Sequence, residues 1–139
     1  MGLTYAPIEI INGDDIALAH YGYRPESSIR KMTINALVDS GALSLAINED
    51  IKNQLGLKKV DERLAELADG SQVKLEVVGP VEINFQNRRA VVDAMVLPGN
   101  AEVLLGAIPM ESMDVLIDPR NQQLIVNPES PYIPKGKLK

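Results

Sequence analysis

An all-β fold is predicted by two habits of this chain. Apolar and polar residues alternate with period two over most of its length, and glycine, proline and asparagine interrupt the alternation at short intervals. The 139 residues suffice for one domain with its own core and are too few for two. Helical periodicity is confined to one or two short stretches.

Leu3 to Ile11 reads as the first strand, and Pro7, which has no N–H to donate, confines it to an edge or a loosely paired position before Asn12-Gly13-Asp14-Asp15 turns the chain. Residues 13–30 then form an inserted connection, longer than a hairpin needs and of unassigned role. Within it Asp14 or Asp15 is expected to cap a helical turn through Ile16-Ala17-Leu18-Ala19. His20, Tyr21 and Tyr23 read as an ordinary surface cluster. Met32, Ile34, Ala36 and Val38 alternate with Lys31, Thr33, Asn35 and Leu37, so a second strand runs directly into Asp39. Asn48 is a good N-cap, Glu49 and Asp50 suit the positive end of a helix, Ile51 and Leu55 share a face, and Gly56 stops it, which predicts a helix over 49–55. Residues 60–68, 72–78, 81–86 and 90–97 read as strands, with turns at Asp69-Gly70-Ser71, Gly79-Pro80 and Gln86-Asn87-Arg88-Arg89. Val103-Leu104-Leu105 is a brief apolar strand ending at Gly106, and Ile108 to Met113 is a helical turn with Pro109 in its first positions. Asp114 to Asp118 and Gln123 to Val126 pair across Pro119-Arg120-Asn121. Residues 1–127 thus make a single domain, and 128–139 a loosely tethered tail.

Composition removes several function classes. Hydrophobic residues at 45% and charged ones at 24% describe an ordinary globular chain, and no apolar run approaches the roughly 18 residues of a membrane span. The first residues lack a basic segment followed by an apolar one, and Ala6 stands where a myristoylation signal needs Ser or Thr. A cytoplasmic location with no membrane partner is therefore expected. The absence of cysteine excludes disulfides and thiolate zinc sites, and the lone His20 cannot build a multi-histidine metal cluster, so no metal or organic cofactor is expected and Ser or Cys triads are poor candidates. A net charge of −5 and a pI near 4.9 argue against a nucleic-acid partner. The basic tail Lys135-Gly136-Lys137-Leu138-Lys139 reads as a solvated end.

Three features in order carry the functional reading: an apolar strand ending in Asp39-Ser40-Gly41-Ala42, a hairpin centred near Asp69-Gly70-Ser71, and Leu104-Leu105-Gly106 before a short helix. An Asp-Ser/Thr-Gly triplet alone arises by chance in roughly one chain in twenty of this length and is usually a plain turn. With the strand Ile34-Asn35-Ala36-Leu37-Val38 before it and the other two features after it, the chain resembles the retropepsin-like aspartic proteases over about Lys31 to Val126. The resemblance implies a closed-barrel acid-protease fold that works as a two-fold homodimer, with Asp39 catalytic and Ser40 and Gly41 supporting its loop. It implies that Ala42 and the flap residues Ala68, Asp69, Gly70 and Ser71 bind an extended peptide or protein substrate, while Leu104, Leu105 and Gly106 form a structural motif. It also implies a dimer interface of chain ends, for which Leu124-Ile125-Val126 has suitable character. Two departures stand out: the flap tip has one glycine beside a charged Asp69, and residues 13–30 have no obvious retroviral counterpart.

The chemistry accounts for these residue types. A peptide bond is hydrolysed without a covalent intermediate when one carboxylate takes a proton from water while a neighbouring carboxylic acid gives one to the carbonyl oxygen or leaving nitrogen. Two carboxyls about 3 Å apart cannot both ionise, as aspartic-protease dyads in general show. The chain carries one Asp-Ser/Thr-Gly, and Asp69-Gly70-Ser71 has the wrong order to be a second, so the other aspartate must come from a second copy across a two-fold axis. Two readings compete with an endopeptidase. One is a catalytically inactive dimeric peptide-binding module on the same fold; the other is an unrelated small β-barrel in which Asp39-Ser40-Gly41 is a surface turn.

Overall fold

The computed structural model describes residues 2–138. The chain is mostly β, in the order β1 (Tyr5–Asn12), α1 (Gly13–His20), β2 (Lys31–Val38), β3 (Leu45–Asn48), α2 (Glu49–Leu55), β4 (Lys58–Glu66), β5 (Gln72–Phe85), β6 (Arg88–Leu97), β7 (Leu104–Leu105), α3 (Ala107–Met113), β8 (Val115–Asp118) and β9 (Gln123–Val126). A seven-stranded sheet runs β1-β2-β7-β3-β6-β5-β4, and β1 pairs additionally with β5; β8 and β9 form a separate two-stranded sheet. Among the described residues no helix is long and apolar enough to cross a membrane.

The period-two pattern explains the core. Ala6, Ile8 and Ile10 of β1 point inward with Ala36 and Val38 of β2, Ile47 of β3, Val81 and Ile83 of β5, Ala94 and Val96 of β6, and Leu105 of β7. Pro7 faces Asn35 across the β1–β2 pair and lies upstream of the β1–β5 pairing, which begins at Glu9, so its missing N–H leaves no gap there.

Strand β5 corrects one expectation. The turn expected at Gly79-Pro80 is absent, and the chain continues as one 14-residue strand with a register shift against β6 between Val78 and Val81. Here β5 changes partner along one edge, from β4 (ending at Lys58↔Gly79) to β1 (Asn12↔Val81). A proline without a donor suits that corner, because neither neighbouring strand requires one of it.

Among the described residues three α-helices form, one at each place where the sequence predicts a helix or a helical turn. Asn12, not Asp14 or Asp15, caps α1: its side chain accepts from the Asp15 N–H at 3.1 Å and donates to the Leu55 carbonyl at 2.8 Å, tying the start of α1 to the end of α2. Asp15, with a side chain 1% exposed, turns inward. Its carboxylate accepts from Arg30 Nε (2.9 Å), Arg30 Nη2 (3.0 Å), the Arg30 backbone N–H (3.0 Å) and Arg24 Nη1 (3.1 Å). Those bonds to Arg30 hold the Asp15 carboxyl below its usual range and close the base of the 13–30 connection. Tyr21 and Tyr23 beyond it are 72% and 79% exposed. Helix α2 keeps the expected bounds and caps, with Asn48 accepting from Ile51 N–H and Gly56 in the left-handed region.

The segment after β9 is fastened by one carboxylate. Asp114 accepts from the Ser130 hydroxyl, from Asn127 Nδ2 at 3.0 Å and from the Lys135 N–H at 2.9 Å, and buried Arg88 donates to the Ser130 carbonyl. These three donors, with the Arg88 charge behind them, lower the Asp114 carboxyl from 3.8 to about 2. A depressed folded-state value means that the anchor holds at neutral pH and is lost as pH falls from about 4 towards 2. Protection against hydrogen exchange at Lys135 and its neighbours, relative to the intrinsic rate at each pH, should therefore be lost in that window ahead of protection in β1 and β5. Trypsin should cut at Lys135 faster in Asp114→Asn than in the wild type at neutral pH. Equal cutting of the two proteins would show that Asp114 is not the anchor.

Candidate active site

Strand β2 delivers Asp39 to a loop that is fixed from several sides. The last residues of β2 are held by Leu37 N–H to Val103 O and Val38 N–H to Thr4 O, both 2.8 Å, and Asp39 N–H donates to Leu105 O at 3.0 Å. Asp39 O accepts from Ala42 N–H at 3.0 Å, and its Oδ1 accepts from Gly41 N–H at 2.9 Å. The carboxyl is thus oriented by its own loop while remaining half-buried. Ser40 is exposed, and Ala42 is half-buried. A Cβ on Gly41 would lie 3.2 Å from Asp39 Oδ1, so the glycine keeps that oxygen uncrowded.

Leu104-Leu105-Gly106 acts from the opposite side. Strand β7 lies between β2, to which it is parallel (Leu37↔Leu104, Val38↔Leu105), and β3, to which it is antiparallel (Leu45↔Leu105). Gly106 then passes so close to the loop that a Cβ would meet Ser44 O at 2.3 Å, Ala42 O at 2.6 Å and Ser44 N at 2.8 Å. Immediately after it the first N–H groups of α3 bond the loop carbonyls, Ala107 to Ala42 O at 2.8 Å and Ile108 to Leu43 O at 2.9 Å. Backbone groups that a helix start leaves unpaired are used here to position the loop. The two motifs, more than sixty residues apart in sequence, therefore meet as one unit.

The third feature stands apart. Ala68 to Ser71 form the exposed tip of the β4–β5 hairpin, closed by Leu67 N–H to Ser71 O at 2.8 Å and Gly70 N–H to Leu67 O at 2.9 Å. Gly70 has φ +85°, a conformation that selects glycine. Asp69 Oδ1 accepts from the Ser71 hydroxyl and the Ser71 N–H, which lowers the Asp69 carboxyl and stiffens the tip.

Two recesses flank the loop, and Ala68 to Ser71 line neither. One, about 520 Å³, is bounded by Asp39 and Ser40, by Gly2 and Thr4, and by Ile117, Pro119 and Gln122 of the β8–β9 hairpin. The other, about 360 Å³, begins at Leu43 and Ser44 and extends under β4, β5 and β6. Sequence reasoning found neither wall, and also passed over β3, because these residues come from separate segments and carry no common motif. Leu124 is 5% exposed in this chain's own core and pairs with Ile117.

A sequence profile of the family described as aspartyl protease matches residues 26–108, which span the Asp39 loop, the hairpin and Gly106. By structure the chain is similar to the retroviral protease-like domain of Ddi1 from Leishmania major. The TM-score is 0.56 at 16% sequence identity, covering 92% of this chain and 90% of that one. Among curated proteins none matches by sequence.

Proposed function

The chain belongs to the retroviral-type aspartyl protease family, and from that premise we propose that it is one half of a homodimeric endopeptidase whose two Asp39 carboxyls jointly activate water. The observation that carries the reading is the Asp39 loop: a half-buried carboxyl at a strand end, oriented by Gly41 N–H and braced by Gly106 and α3, with one such motif per chain.

A second copy supplies the second acid. The recess beside Asp39, walled by residues near Gly2 and by the β8–β9 hairpin, is the face we assign to the partner. The isologous contact places Asp39 beside its mate and Ser40 where its hydroxyl bonds across the axis. One carboxylate takes the proton of a bound water as it attacks the peptide carbonyl, and the protonated mate gives its proton to the carbonyl oxygen. The first acid then passes its new proton to the nitrogen as the C–N bond breaks, while the mate takes one back from the diol, leaving an amine and a carboxylic acid and the pair with one proton again. Strand pairing that returns from β5 to β1 is read as the closed barrel that holds the loop rigid. The β4–β5 hairpin then folds over an extended substrate and pairs with its backbone.

Cleavage of a peptide library, assayed across chain concentration and pH, tests the reading. Activity per chain should rise with concentration and level off as the dimer forms, and it should fall as rising pH removes the proton that the pair must share. Activity per chain that is independent of concentration, from a species of monomer mass, would refute the shared site.

A further inference from the structure

We propose that the groove beginning at Leu43 and Ser44 selects a basic side chain, lysine or arginine, on the substrate peptide through Asp61 and Asp93. The proposal rests on the proteolytic reading above and adds a substrate class to it.

Strand register brings the groove together. Asp61 of β4 faces Val77 of β5, and Val77 faces Met95 of β6, so the three side chains share one face. Asp93 lies two residues before Met95 and therefore on that same face. Its carboxylate occupies the space left by Gly79, where a Cβ would come within 2.2 Å of Asp93 Oδ1. Across the groove, Leu43 and Ile108 add apolar wall. The result is an apolar trough of about 360 Å³ with carboxylates at its side.

Both carboxylates are exposed, and among the described residues neither has a salt-bridge partner. Arg63 also lines the groove. One guanidinium against two carboxylates leaves the trough negative, in keeping with a net charge of −5 for the chain. Lysine and arginine match this arrangement in both halves: their methylenes cover apolar surface while the cation reaches the acids. Position along the substrate follows from continuity. Leu43 and Ser44 directly follow Ala42, so the groove opens beside the Asp39 loop and takes a substrate residue that flanks the scissile bond.

The test uses the full chain and a peptide set that differs only in carrying lysine, norleucine or glutamate at each position around the cleaved bond. At one position the lysine peptide should be cleaved with about tenfold higher kcat/KM than the norleucine peptide. In the double variant Asp61→Asn/Asp93→Asn that ratio should fall towards one. A wild type that cleaves without charge preference overturns the groove proposal and leaves the protease reading standing. So does a wild type that prefers glutamate and loses that preference in Arg63→Gln. The same peptides are also measured by fluorescence anisotropy on Asp39→Asn protein. If no peptide is cleaved by the wild type, yet lysine peptides bind tighter than norleucine ones and the double variant abolishes the difference, the groove proposal holds and the protease reading falls.

Discussion

Replacing Asp39 by asparagine should abolish peptide cleavage, by about 10⁴-fold or more in kcat/KM, while leaving the fold and the dimer in place. The two outcomes have separate causes. The loop depends on an oxygen at this position that accepts the Gly41 N–H, at 2.9 Å in the native chain, and asparagine Oδ1 can accept the same bond. Asparagine can neither take a proton from water nor hold the shared one, so water activation is lost. Thermal melting should therefore move little. Mixing supplies the stricter measurement. With equal amounts of wild type and variant at full exchange, about half of all dimers are mixed, and activity per wild-type chain should drop to about half. Unchanged activity per wild-type chain would place the whole site in a single copy. A wild-type dimer that binds extended peptides and never cuts them would identify the inactive binding module instead.

Gly106→Ala should damage both stability and catalysis although residue 106 is buried and carries no side chain. The added methyl would lie 2.3 Å from Ser44 O and 2.6 Å from Ala42 O, both backbone atoms, so no side chain can swing away to relieve it. The backbone at Gly106 is ordinary extended chain (φ −97°, ψ −171°); glycine is needed there for close packing, not for a left-handed conformation. Either β7 or the loop must move, and the bonds from Ala107 and Ile108 to the loop carbonyls move with it. Overpacking between backbones of this kind costs about 2–4 kcal/mol, read by urea denaturation. Among molecules that remain folded, kcat/KM should fall about 100-fold, because a displacement near 1 Å at the reacting group has that effect. Gly136→Ala is the control, since nothing lies within 4 Å of its added Cβ. If the two alanine variants melt and cleave alike, Gly106 does not brace the loop.

Much of the fold was legible because its signals are local. The alternation over Lys31 to Val38 predicts a strand with the bounds that β2 has, and Asn48 and Gly56 predict both ends of α2. Local signals also misled. Gly79-Pro80 has turn composition, yet it serves as a corner at which β5 exchanges β4 for β1. Asp14 and Asp15 have cap composition, yet Asn12 reaches the helix first and Asp15 is taken by Arg30 and Arg24. In each case a partner distant in sequence outweighs the propensity of a dipeptide.

The amino-acid sequence alone was enough to single out Asp39 as the candidate acid, to place it at a strand end, and to set Leu104-Leu105-Gly106 after it in order. It also predicts a second copy, because counting motifs needs no coordinates, and the mixing experiment tests that prediction. Only the tertiary structure decided that β7 slips between β2 and β3, that Gly106 presses on Ala42 and Ser44, and that Asp61 and Asp93 flank one groove from different strands. The physical reason is that periodicity and turn chemistry report how a backbone bends over a few residues. Which distant strands become neighbours is set by the joint burial of Val38, Leu45 and Leu105 in one core.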